Sequence, residues 1–376
     1  MKKMLLLAAF AGVALTSCMN EEITNVEKAQ VMRFDVPAMS KTRAGVLGEI
    51  SGSTYPSGED FVVFCKSYKN DFAGWGQSSE DFADYFAEEG EVAKNQINAG
   101  TSTASAYWAT DVVHYWPEAE YNLAFAAYSP AVLTTAPTAI AHTENGLQIT
   151  DFQTEADANK QYDLMYSDRV INKNKLQHGS AAIALNFKHA LTSIVFSAAR
   201  NDDPGVEYKI TDLKIEGDFI QKADFNQNIT ENVEDGVYSE TSAPEWVFDV
   251  ANDATPANYL PYFDPFTLPK GNPTPFTKGN SALLLIPQAV PANAYVTLYY
   301  TKITNPDTES EKQLDATARI RLADFIDSST NQPISEWNMN KRYIYRFEFG
   351  QNTHIYFQPI ITPWEEPTVT LVHRIQ

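Results

Sequence analysis

Cys18 has the most specific chemical setting in this sequence. It closes Leu15-Thr16-Ser17-Cys18, a branched apolar residue and two small ones before a cysteine, which is the bacterial lipobox pattern whose thiol sulfur receives diacylglycerol. Ahead of it, Lys2 and Lys3 precede an apolar run from Met4 to Leu15. That run is too short to cross about 30 Å of hydrocarbon as a helix, so residues 1–18 read as a lipoprotein signal peptide and not as a span. A lipoprotein cysteine carries more than one acyl chain, and at about 0.8 kcal/mol per buried CH₂ this makes a stable membrane anchor. The one other cysteine, Cys65, lies in Phe61-Val62-Val63-Phe64-Cys65, the setting of a buried small hydrophobe and not of a nucleophile.

Elsewhere the search for chemistry is mostly negative. The six histidines, His114, His142, His178, His189, His354 and His373, are scattered and include no His-Glu-x-x-His. There is no Gly-x-Ser-x-Gly elbow, no phosphate loop and no complete calcium loop; Glu234-Asp235-Gly236 is a turn signal. A pair of glycosidase carboxylates would need no motif and could hide among 48 Asp and Glu residues. Without further support, no catalytic residue, metal or cofactor is assigned and no enzyme is expected. His189 reads as a hydrogen-bonded turn or core histidine. Trp75, Trp108 and Pro261-Tyr262-Phe263-Asp264-Pro265-Phe266 could stack on sugars from loops or plug the ends of sandwiches. A net charge of −20 argues against nucleic acid as a partner, because backbone binding needs clustered Lys and Arg.

The elements around these residues read as all-β. Five- to eight-residue stretches of β-branched and aromatic residues recur between turn signals, at 31–36, 61–68, 111–116, 121–128, 146–150, 163–169, 181–188 and 191–198. Others follow at 208–217, 219–225, 281–288, 295–301, 317–322, 343–349, 354–362 and 368–375. In Tyr343-Ile344-Tyr345-Arg346-Phe347-Glu348-Phe349 the odd-numbered aromatics share a face. The exception is 81–97, where Phe82, Tyr85, Phe86 and Glu89 give helical spacing, so one short helix is expected there. Residues 255–280 carry six prolines and form an ordered loop or an insertion. With 376 residues, two domains are expected, at 44–200 and 201–376.

A series of short motifs resembles the fimbrillin family, the pilin-like lipoproteins of type V pili in Bacteroides-type bacteria. They are Trp116-Pro117 with Phe125-Ala126-Ala127-Tyr128-Ser129-Pro130, then Tyr162-Asp163-Leu164-Met165-Tyr166 and Phe187-Lys188-His189-Ala190-Leu191. Leu284-Leu285-Ile286-Pro287-Gln288, Trp337-Asn338 and Ile360-Ile361-Thr362-Pro363-Trp364 follow in order. The resemblance implies two tandem transthyretin-like Greek-key β-sandwiches and polymerisation in place of catalysis. It implies other pilus subunits as partners, an Arg-specific protease, and a host or bacterial surface ligand. The acids of Met19-Asn20-Glu21-Glu22 resemble a signal for the outer face of the outer membrane, so a surface-exposed, fimbrial location is expected.

Strand complementation supplies the physics. A sandwich missing one strand exposes an apolar groove and two edges, which a strand of the next subunit fills head to tail. In the family the first strand is released by cleavage after an arginine. Here Lys41-Thr42-Arg43-Ala44-Gly45 offers that bond, between Arg43 and Ala44, and makes 19–43 a tether and prosegment. The strand released would present Met32, Phe34 and Val36 on one face. The donor would be the tail 368–376, with Val369, Leu371 and Ile375 aligned; the same alternation would also suit a last strand of its own sandwich. The alternative function is a monomeric surface glycan-binding lipoprotein.

Overall fold

The computed structural model describes residues 30–36, 55–56, 58–69, 72, 74, 82–96, 107–133, 135–200, 204–234, 237–261, 264–271, 273–276, 282–327, 330–350, 355–357 and 360–363. The chain is β nearly throughout. In its first half the strands are β1 (Phe34–Asp35), β2 (Phe61–Lys69), β3 (Glu91–Gln96), β4 (Tyr107–Thr110), β5 (Tyr121–Ser129), β6 (Ala139–Thr143), β7 (Gly146–Gln153), β8 (Met165–Ser167), β9 (Ile183–Ala184) and β10 (Phe187–His189).

All of these except β6 and β7 share one sheet, in the order β9-β1-β4-β3-β2-β5-β8-β10. Its two ends, β9 and β10, are separated in sequence by Leu185 and Asn186 alone, so the sheet rolls up and that segment closes it. Inside lie Phe34, Phe61, Val63, Cys65, Phe125, Ile183 and Phe187. The back of the same sheet offers Val62, Phe64, Tyr128 and Tyr166 to a second core beneath β7. Burial on both faces explains why 61–65 is continuously apolar and does not alternate.

The second half contains β11 (Thr192–Arg200), β12 (Val206–Ile220), β13 (Lys222–Asn226), β14 (Ile229–Glu234), β15 (Val237–Ser242), β16 (Glu245–Val247), β17 (Ala254–Tyr259), β18 (Leu283–Leu285), β19 (Tyr295–Thr304), β20 (Lys312–Arg321), β21 (Lys341–Phe349), β22 (Ile355–Phe357) and β23 (Ile360–Pro363). One sheet is centred on β11, which runs parallel to β21 and antiparallel to β18. β11 therefore precedes residue 201 yet hydrogen-bonds with strands of the second half. The facing sheet runs β17-β12-β19-β20. Between them pack Phe196, Ile210, Leu213, Ile215, Val296, Leu298 and the row Tyr343, Tyr345, Phe347 and Phe349. This is a β-sandwich in which the inner faces of the two sheets share one core.

The halves are joined by shared pairing. β13 and β16 extend the hairpin β6–β7 into a four-stranded layer ordered β16-β13-β7-β6, which covers the back of the rolled sheet. Beyond it, the ribbon β14–β15 reaches the first half at Arg169. The buried guanidinium donates through Nη1 to Glu231 Oε1 (3.1 Å) and Glu240 Oε1 (2.8 Å), and through Nη2 to the carbonyls of Thr143 and Glu144 (3.0 and 2.7 Å). Gly146 turns the β6–β7 hairpin at φ 89°, where a Cβ would stand 2.6 Å from Gln227 Oε1.

Two sequence expectations are corrected, and one open alternative is decided. Residues 82–96 hold no helix: Ala83–Asp84 pairs with β2, the chain turns, and β3 follows. The Tyr85 and Phe86 amides bond to the Cys65 carbonyl at 2.8 and 3.3 Å, so their donors serve the sheet. Gly90 enforces the turn at φ 80°, in a place where a Cβ would lie 2.6 Å from Val62 Cγ1. The strand expected at 111–116 lies earlier, as β4, and 111–116 is a bend with one bridge, Val31 to Tyr115. Trp108 is no sugar platform; it is 3% exposed, in the core, with Nε1 donating to the Glu59 carbonyl at 3.1 Å. The helices among the described residues are single turns, and none is long and apolar enough to cross a membrane. The proline-rich stretch is ordered where described: Ala254–Tyr259 and Phe266–Thr267 pair with β12, and Thr274–Pro275 pairs with β11.

Candidate functional site: the seat of the first strand

Alternation sets the orientation of the first strand. Met32, Phe34 and Val36 are 3%, 0% and 5% exposed, while Val31, Arg33 and Asp35 face solvent. The strand lies between two others. Phe34 is opposite Trp108 on antiparallel β4 and opposite Ile183 on parallel β9.

Backbone bonds hold both sides of the strand. The Met32 amide donates to the His114 carbonyl (2.9 Å) and the Trp116 amide to the Gln30 carbonyl (3.0 Å). On the other side, Ile183 and Leu185 donate to the carbonyls of Arg33 and Asp35 at 2.7 and 2.9 Å.

Phe34 is the anchor. Its ring meets Phe61, Phe86 and Phe125 edge-on at centroid separations of 6.2, 6.3 and 5.7 Å. Such pairs add about 0.5–1.5 kcal/mol beyond area burial. Burying Met32, Phe34 and Val36 contributes about 1.5–3 kcal/mol each. The Arg33 guanidinium lies over the Tyr107 ring at 4.6 Å, and its carbonyl is held by Ile183, so the Arg33 peptide bond sits within a paired strand.

Tyr55, which follows residues 37–54 in the sequence, also belongs to this core. Tyr55 is buried, stacks on Phe187 at 5.4 Å, and shares a 2.6 Å hydrogen bond between its hydroxyl and Ser129 Oγ. Burial pushes its phenol well above the usual range. Val36 and Tyr55 thus belong to one cluster. Withdrawing the first strand would leave a slot lined by Phe61, Phe86, Trp108, Phe125 and Ile183, with two unpaired edges, β4 and β9.

Of the residues singled out from sequence, Met32, Phe34 and Val36 come together in this seat. Cys18, Arg43, Ala44, Val369, Leu371 and Ile375 lie outside the described residues. His189 donates or accepts at Nδ1 with Asp163 Oδ1, 3.0 Å away; both are buried beside Leu164 and Ala190, in a core position. Cys65 is buried too, and desolvation raises its thiol pKa well above the ordinary value. Among the described residues no three His, Cys, Asp or Glu side chains gather to hold a metal ion.

Sequence reasoning missed His114 and Arg169. The His114 imidazole sits 2.9 and 3.0 Å from the Glu91 oxygens and 4.2 Å from the Phe86 ring, behind the first strand. No local spacing links it to Glu91. The nearest signal for Arg169 was its place at the end of the strand expected at 163–169.

Comparison with known proteins agrees with this architecture. A fimbrial protein from Bacteroides vulgatus is 16% identical with a TM-score of 0.56, over 89% of this chain and 99% of that one, and so shares the fold. A putative cell adhesion protein from Bacteroides uniformis is 11% identical with a TM-score of 0.47, over 90% of this chain and 99% of that one. No curated protein matches. The family model described as fimbrillin-like matches residues 72–364, most of the sequence, and the chain belongs to that family.

Proposed function

We infer that the protein is a fimbrial, type V pilus subunit, exported as an outer-membrane lipoprotein through Cys18, cut between Arg43 and Ala44, and polymerised by strand complementation. One observation carries the reading. The first strand is buried by alternate residues and paired on both sides, and a single cut in the connection 37–54 would turn it from a covalent part of the barrel into a separable ligand. Arg33 makes a poor competing site because its peptide bond is paired. The vacated slot would take an alternating strand from another subunit, and head-to-tail insertion builds an open filament. The outer membrane, an Arg-specific protease, further pilus subunits and a surface ligand are the partners this function requires. The monomeric glycan-binding alternative loses Trp108 to the core.

Processing tests this reading. Surface material should begin at Ala44 on N-terminal sequencing, and Cys18→Ala should leave an unprocessed precursor that no longer partitions with outer membranes. A mature start at Cys18 alone would point to an anchor subunit or a protein that does not polymerise. Normal maturation and anchoring of Cys18→Ala would remove the lipoprotein step.

A further inference from the structure

We propose that the outer edge of β6, together with the groove beside it, is a docking site for an extended, basic strand of another protein. This surface is separate from the seat of the first strand and does not depend on fimbrial assembly. β6 ends the four-stranded layer, and among the described residues no strand pairs with its outer side. Its sequence, Ala139-Ile140-Ala141-His142-Thr143, carries none of the devices that normally blunt an exposed edge. The contrast with the other edges is clear. β20 carries Lys312, Asp315, Arg319 and Arg321, and β16 is short and begins with Glu245. Ala139 and Ala141 are exposed, so little side-chain bulk stands in the way of a neighbouring backbone.

Beside this edge runs an open groove of about 400 Å³. Its floor is Phe64, on the back of the rolled sheet, with the His142 ring stacked on it at 5.6 Å. The far wall is the turn after Ala83–Asp84, bearing Asp84, Glu88 and Glu89, all exposed. Lys66 answers Asp84 at 2.5 Å, which leaves two carboxylates in excess. A strand added about 4.8 Å from β6 would lay alternate side chains beside the half-buried Ile140 and His142, which cover Phe64, and pass its others along the acidic wall. The fitting occupant is therefore an extended segment in which Lys or Arg alternates with apolar residues, held by main-chain hydrogen bonds and steered by charge. A second copy brings a net charge of −20 with it, so electrostatics favour a different, cationic protein.

The test uses the full chain and a labelled nonapeptide of alternating valine and lysine, followed by fluorescence anisotropy at low salt. It should bind at least about tenfold more tightly than an alternating valine–glutamate peptide. N-methylation of alternate residues in the cationic peptide, which removes backbone donors and leaves the charge, should weaken binding about tenfold. Glu88→Gln with Glu89→Gln should weaken it severalfold and flatten the salt dependence, with the thermal midpoint unchanged because both side chains are exposed. Equal binding of the plain and N-methylated peptides, or of the cationic and anionic ones, would overturn the proposal. So would tighter binding of a peptide of residues 368–376, which would make the groove a contact between copies.

Discussion

Truncation after Pro367 is expected to leave a folded monomer that forms no SDS-resistant ladder. The tail it removes, 368–376, alternates so that Val369, Leu371 and Ile375 share a face. Inserted in an apolar slot, three such side chains would contribute about 1.5–3 kcal/mol each, before any ladder hydrogen bonds. In the sheet that the tail follows, β23 pairs with β21, with Ile361 opposite Tyr343 and Pro363 opposite Lys341. The pairing of β21 with β11 and with β23 is complete before Pro367, so the fold should survive the truncation. Circular dichroism and thermal melting report on folding, and gel ladders of the Arg-cleaved protein report on assembly. A truncated chain that unfolds would make the tail the last strand of its own sandwich; one that still polymerises would remove it as the donor.

The second large effect belongs to Phe34. Phe34→Ala in the uncleaved chain should cost about 3–5 kcal/mol, the range for deleting a fully buried aromatic ring. The ring touches Phe61, Phe86 and Phe125 together and has no solvent to retreat to. If the strand leaves on processing, the penalty should appear in the precursor alone. Urea unfolding of the Phe34→Ala precursor should show the loss, while polymer assembled from the cleaved variant should be as resistant to SDS as wild type. A polymer weakened to the same degree would mean that the first strand stays in place.

The sequence was most legible where a strand buries one face. The alternation of Val31-Met32-Arg33-Phe34-Asp35-Val36 and of the row Tyr343, Tyr345, Phe347 and Phe349 states inward and outward directly, and both rows are buried as expected. It misled at 82–96, where Phe82, Tyr85 and Phe86 have helical spacing but their neighbouring amides bond to β2 and Gly90 breaks the run. Local periodicity cannot report that a donor is taken by a distant carbonyl. The rolling of the first sheet was invisible for a related reason. It depends on Leu185 and Asn186 carrying one segment from β9 to β10, and only long-range pairing reveals that. Arg169 was equally hidden, because its partners Glu231 and Glu240 come from the other half of the chain.

The most direct test places a photo-crosslinking amino acid at position 371 of the Arg-cleaved protein and mixes it with an isotope-labelled copy. After irradiation, mass spectrometry identifies which peptides are joined. Strand complementation predicts crosslinks from position 371 to the labelled partner's β4 or β9, around Trp108 and Ile183, and none from the uncleaved precursor. Crosslinks confined to the same chain, or equal yields with and without cleavage, would contradict it.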